Sequence, residues 1–167
     1  MKIKDIEQTI RMLEVAKSED GRFPKELFYA SARLFGESCL ELCIFRTING
    51  VDSVFLFPRP STDPYWPGML HVPGVRKLST DTDESVLLRV VGETLFDINL
   101  EDVHYCSSQI VRTLRGTEFS DVRWTWVDET GMDNFFYDVD NLPENIIEFH
   151  PILIEKSVKC YREMRHG

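Results

Sequence analysis

The spacing of apolar side chains changes period along the chain. In the first 36 residues it is helical: Ile6, Ile10, Leu13 and Lys17 step by three or four, and Ala16 widens the apolar stripe. Ser18 to Gly21 breaks that run, and Phe23-Pro24 opens a second helix reaching Phe35, with Pro24 suited to the first turn and Gly36 to the C-terminal cap. The period then shortens. Ser38 to Thr47 alternates weakly, Asn49-Gly50 is a two-residue hairpin signal, and Asp52 to Phe57 returns as a second strand. Proline-rich Pro58 to Pro67 reads as a loop. Thr82 is placed to cap a helix from about Asp83 to Leu95, on which Val86, Val90 and Glu93 or Thr94 share a face. Strands are expected at Val103 to Thr113, Phe119 to Val127 and Asn134 to Val139, with Gly131 turning between the last two. A closing helix from Pro151 to about Met164 carries Ile154, Val158 and Tyr161 on its core stripe.

Strands on both sides of a central helix, followed by a terminal helix, predict an α/β fold with a mixed sheet between helices. A chain of 167 residues with 43% hydrophobic content can bury a full core as one unit. Residues 1–36 then form an N-terminal two-helix extension that covers a sheet face or builds a homodimer contact, and residues 37–167 form the main domain. The 19 basic and 28 acidic residues give a net charge of −9, which repels phosphate backbones and disfavours nucleic acid as a partner. Cys39, Cys43, Cys106 and Cys160 show no zinc-ligand spacing, and the chain shows no signal peptide and no membrane-length apolar run, so the expected setting is a reduced cytoplasm. Cys39 and Cys43 fall on one side of their strand and read as small apolar fillers.

One stretch carries chemistry. Residues 74–97, approached through Tyr65-Trp66-Pro67-Gly68-Met69-Leu70-His71-Val72-Pro73-Gly74, resemble the box of the Nudix (MutT-like) hydrolase superfamily: glycine, five residues, glutamate, seven residues, then Arg-Glu-U-x-Glu-Glu-x-Gly-U, with U bulky and aliphatic. Anchored on Arg89, the pattern puts Val75 at the opening glycine and Asp81 at the first glutamate. Val90 then stands at the first helical glutamate, Val91 at the aliphatic position, Glu93 and Thr94 at the next two glutamates, and Phe96 at the closing glycine. The box is therefore degenerate, with one helical glutamate in three retained. The resemblance implies a Nudix-type α/β/α sandwich.

In Nudix relatives the helical glutamates hold Mg²⁺ or Mn²⁺, hard cations that take oxygen ligands and activate water for attack on a diphosphate. By that resemblance Glu93 is the candidate catalytic and metal-binding residue, although an Arg89–Glu93 pair along the helix is a purely structural role for both. Asp81, Asp83, Glu84, Glu118, Asp128 and Glu129 are acids that could replace lost ligands; Asp83 and Glu84 also suit the first turn of a helix electrostatically. Arg59 and His71 lie in sequence near the family's phosphate site and are candidate substrate-binding residues, or solvated loop residues. Trp124 and Trp126 share a strand face and fit either the core or a base-stacking role. His150 reads as a helix-boundary residue, and His104 shows no partner in sequence.

Two functions follow from the resemblance. One is a nucleoside diphosphate-X hydrolase scaffold whose eroded metal site leaves weak or no pyrophosphohydrolase activity, with Mg²⁺ or Mn²⁺ as cofactor if active. The other is a non-catalytic domain that senses a nucleotide or nucleotide-derived small molecule, or binds a protein.

Overall fold

The computed structural model describes residues 3–16, 24–94, 96–128 and 132–166. The expected breaks at Ser18 to Gly21 and at Gly131 lie outside those residues, as do Leu95 and Glu129; the helix expected to run to about Leu95 ends earlier, at Gly92, with Glu93 as its C-cap. Two helices lead, α1 (Ile3–Ala16) and α2 (Lys25–Phe35). Pro24 sits one position earlier than its expected first-turn place, as the N-cap, where its carbonyl accepts from the Phe28 N–H at 2.9 Å. Gly36 caps α2 at φ 75°, a conformation glycine adopts without strain.

The sheet is built around β1 (Glu37–Ile48), which is buried on both faces over most of its length. Along one edge it pairs in parallel with β7 (Gly116–Trp126), and β7 pairs antiparallel with β6 (His104–Thr113). Along its other edge the C-terminal half pairs with β2 (Val51–Phe55) and the N-terminal half with β5 (Gly74–Arg76), both antiparallel. β8 (Phe136–Asp138) extends the sheet beyond β2. The mixed sheet expected from sequence is thus present. The β1–β2 turn uses Asn49 at φ 52° and Gly50 at φ 82°, the positive pair that an Asn-Gly hairpin requires.

Odd and even residues of β1 enter different cores, because strand side chains alternate. Leu40, Leu42 and Ile44 pack with Val86, Leu87 and Val90 of α3 (Asp83–Gly92), while Cys43 and Phe45 pack with Leu153, Ile154, Val158 and Tyr161 of α4 (His150–His166). That is a helix on each face of the sheet. Trp124 belongs to the α4 core, with Trp126 packed against it, and His104 lies between them, 4.7 Å from one ring centroid and 5.6 Å from the other. The tryptophan pair is core.

Several boundaries differ from expectation for identifiable reasons. The second strand stops at Phe55 because Leu56 donates its N–H to Phe135; Phe57–Pro58 (β3) then turns off to pair with Leu70–His71 (β4), and proline cannot continue a central ladder. β7 begins at Gly116, three residues before Phe119. Gly116, at φ 144°, brings the β6–β7 turn so close to α2 that an added Cβ would lie 2.6 Å from the Ala32 carbonyl oxygen. The strand expected from Asn134 shortens to three residues because Asp133–Phe135 forms a 3₁₀ turn. No described helix is long and apolar enough to cross a membrane.

Candidate ligand-binding site

Toward the N-terminal end of β1 the α4-side face of the sheet changes from apolar to acidic. Past Cys43 and Phe45 come Glu41, Cys39 and Glu37, and Glu118 of β7 stands opposite Glu37 in the parallel ladder. Glu37, Glu41 and Glu118 are 4%, 6% and 1% exposed, which is unusual for ionisable groups and requires compensation. Arg115 supplies some: its Nη2 donates to Glu118 Oε1 at 2.9 Å and lies 3.5 Å from Glu37 Oε2. Thr113 also donates to Glu118 Oε1. Burial pushes the Glu41 carboxyl well above the usual range, with Glu118 reinforcing it, and burial likewise raises Glu37 against the pull of Arg115.

These strands floor a cavity of about 460 Å³. Its walls come from distant parts of the sequence. α2 contributes Phe28 and Tyr29, and the Arg76 guanidinium lies 4.6 Å from the centre of the Phe28 ring. The loop after β3 contributes Arg59 and Trp66 and is folded by Asp63, which accepts from Arg59 Nε at 2.7 Å and from the Tyr65 and Trp66 backbone N–H groups. The Trp66 ring in turn sits 5.0 Å from the Arg115 guanidinium. His71 and His150 close one side, with ring centres 6.1 Å apart. His150 Nδ1 accepts from the Val72 N–H at 3.1 Å, which places its ring proton on Nε2. Burial lowers His71 to about 4, with Arg59 adding to the effect, and lowers His150 well below its ordinary value, with His71 adding to it. Both imidazoles are neutral at pH 7.

The helix that the resemblance assigns to metal ligands is α3. Thr82 caps it as expected, in a reciprocal box with Ser85. Val90 is fully buried in the α3 core, and the Thr94 hydroxyl donates to the Val91 carbonyl at 2.7 Å. Glu93 is the exposed C-cap residue and reaches the cavity rim. Mg²⁺ demands near-octahedral oxygen coordination. One carboxylate beside a buried valine and a committed threonine does not fit such an ion on this helix.

Arg89 and Asp81 have a structural tie that the Arg89–Glu93 reading did not anticipate. Arg89 Nη2 donates to Asp81 Oδ2 and to the Arg76 carbonyl, and Asp81 also accepts from Leu78 N–H and Ser85 Oγ. Desolvation would raise Asp81, yet these donors hold it below the usual carboxylate range. Asp81 therefore fastens the loop to the helix. Asp83 pairs with Arg123 at 3.1 Å.

Arg59, His71 and Glu93 all line one cavity, while Asp81 and Asp83 do not. Glu118, expected in a loop, is inside β7, and Cys39 faces the cavity where a core filler was expected. Sequence reasoning missed Glu37, Glu41, Arg115 and the neutral His150. The glutamates did carry a signal: in an otherwise apolar central strand, Glu37 and Glu41 fall on one face.

No family model matches the sequence, and a search of curated proteins finds no significant match. Solved structures do match. A MutT/Nudix family protein from Listeria innocua superposes with TM-score 0.60 at 18% identity, covering 77% of this chain and 96% of that one. A MutT/Nudix family protein from Enterococcus faecalis gives 0.60 at 14% identity, over 100% of this chain and 72% of that one. The Nudix domain of Shewanella oneidensis NrtR, solved with ADP-ribose, gives 0.55 at 16% identity, over 89% and 99%. With a mixed sheet held between α3 and α4 and these structural matches, the chain is a Nudix-fold protein.

Proposed function

We propose that this domain binds a nucleotide-derived small molecule in the cavity and does not hydrolyse it efficiently. The observation that carries the reading is the conversion of the α3 face: Val90 is core, Thr94 bonds its own helix, and the metal-dependent water activation that Glu93 would serve has lost its neighbouring ligands. Loss of a single electrostatic contributor commonly costs about 10²–10³ in rate. What remains suits binding. Arg76 has no carboxylate in ion-pair range among the described residues and lies at the cavity over Phe28, placed to meet a phosphate. Phe28 and Tyr29, half-buried on the cavity wall, supply aromatic surface to a base. The ADP-ribose complex of the NrtR Nudix domain supports this ligand class.

Turnover of ADP-ribose and a panel of nucleoside diphosphate compounds, with Mg²⁺ or Mn²⁺, tests the reading. Expected is a rate near the enzyme-free background, unchanged in Glu93→Gln. Rapid turnover that EDTA and Glu93→Gln both abolish would overturn it.

A further inference from the structure

The acidic floor has a feature that the binding of a nucleotide does not explain. Glu37, Glu41 and Glu118 bury three carboxyl groups with one guanidinium, Arg115, in ion-pair range of Glu37 and Glu118; Arg76 acts on Glu37 and Arg59 on Glu41 only from a greater distance. Ionised, the three carboxylates outnumber the one guanidinium in contact with them in a poorly solvated place, a costly arrangement. Their oxygens are also unspent. Neither oxygen of Glu37 has a hydrogen-bond partner, nor does Glu118 Oε2. Among the described residues, the Glu41 carboxyl has no hydrogen-bond or ion-pair partner at all. It points at Gly74, where an added Cβ would fall 2.2 Å from Oε2, so the absent side chain at residue 74 makes the space it occupies.

One donor atom from each of Cys39, Glu41 and Glu118 lies within 4.8 Å of the others. Tetrahedral zinc sites place ligand atoms roughly 3.5 Å apart, as metal–ligand bonds of about 2.0–2.3 Å require, and side-chain rotation covers the difference. We propose that Cys39, Glu41 and Glu118 form a site for one divalent transition-metal ion of the zinc class, on the sheet and away from α3. A thiolate with two carboxylates selects a borderline ion over Mg²⁺. Binding expels the Cys39 thiol proton and the Glu41 carboxyl proton to solvent, so the dication replaces two protons and supplies the unpaired carboxyl oxygens with a partner at no change in net charge. Three protein ligands leave a fourth position facing the cavity. Glu37, outside the ligand set, accepts from a water on that position.

The site shares the cavity floor with the proposed nucleotide site, so it is tested with metal alone, in the absence of any nucleotide. Co²⁺ is titrated into metal-free protein in a Cys106→Ser/Cys160→Ser background, because those two thiols lie 3.7 Å apart and are a competing sulfur site. Expected is one ion per chain by equilibrium dialysis, with a thiolate-to-cobalt charge-transfer band that Zn²⁺ displaces. Cys39→Ser should abolish the band, and Glu118→Gln should weaken uptake by at least about tenfold. Each variant is first shown to fold by circular dichroism; if Glu118→Gln does not fold, Glu41→Gln takes its place. Absence of the band in folded parent protein, or its persistence in Cys39→Ser, would overturn the assignment.

Discussion

Gly74 faces Glu41 across the β1–β5 ladder with no room for a side chain: a methyl group there would lie 2.2 Å from Glu41 Oε2 and 2.7 Å from its Cδ. The carboxyl must move before residue 74 can become alanine. Gly74→Ala is therefore expected to destabilise the fold by about 1–3 kcal/mol, the ordinary range for overpacking. In Glu41→Ala the same substitution should cost less by about 1 kcal/mol or more, since neighbouring residues couple. Urea unfolding of the four proteins measures the cycle, and additive effects would show that the two residues do not compete for space.

Asp81 ties its loop to α3 through Arg89 and Ser85 and closes the loop through the Leu78 N–H. Asp81→Ala leaves the Arg89 guanidinium short of its acceptor and should lower stability by about 2–3 kcal/mol, as for hydrogen bonds to charged groups. Arg59→Ala, at a pair outside this loop, provides a comparison. A loss below about 0.5 kcal/mol for Asp81→Ala in chemical denaturation would show that the loop is held by other contacts.

Val90 and Thr94, which stand where the resemblance expects carboxylates, are both buried. Val90 has no exposed surface, so Val90→Glu should destabilise by more than about 3 kcal/mol or prevent folding, because an unpaired charge would enter the core. Thr94→Glu, at the helix end and 8% exposed, should cost less. Thermal unfolding ranks the two. Equal, small effects would mean that the helix face remains available to a metal ion.

These substitutions also show what the sequence could reveal. The helix capped by Thr82, the Asn49-Gly50 hairpin and the α4 stripe of Ile154, Val158 and Tyr161 depend on local rules, and all three appear as read. The apolar character of Val90 was visible, and so was its consequence. The cavity was less legible because its parts lie far apart: Glu37 meets Glu118 only through the parallel β1–β7 pairing, and Arg115 reaches both from the turn before β7. Parallel register leaves no short-range signature. His150 does begin α4, as its place before Pro151 indicates, but nothing local shows that the Val72 N–H points at its Nδ1.

Acid should weaken the fold through His71. Its folded value of about 4 lies below the ordinary 6.5, so the unfolded chain takes up the proton first. The stability contributed by the neutral ring is complete above about pH 6.5 and is lost as pH falls toward 4. The raised carboxyls of Glu37 and Glu41 act in the opposite direction, which makes a difference measurement necessary. Between pH 7 and 4, wild type should lose up to about 3 kcal/mol relative to His71→Gln. Parallel stability profiles for the two proteins would show that His71 titrates normally.

The most direct test of the binding account is calorimetric titration of ADP-ribose into the protein in EDTA, with the ligand recovered afterwards and analysed for cleavage. Saturable binding of one molecule per chain, weakened by Arg76→Ala and yielding intact ADP-ribose, is the predicted result. No binding in EDTA, with binding and cleavage both restored by Mg²⁺, would contradict it.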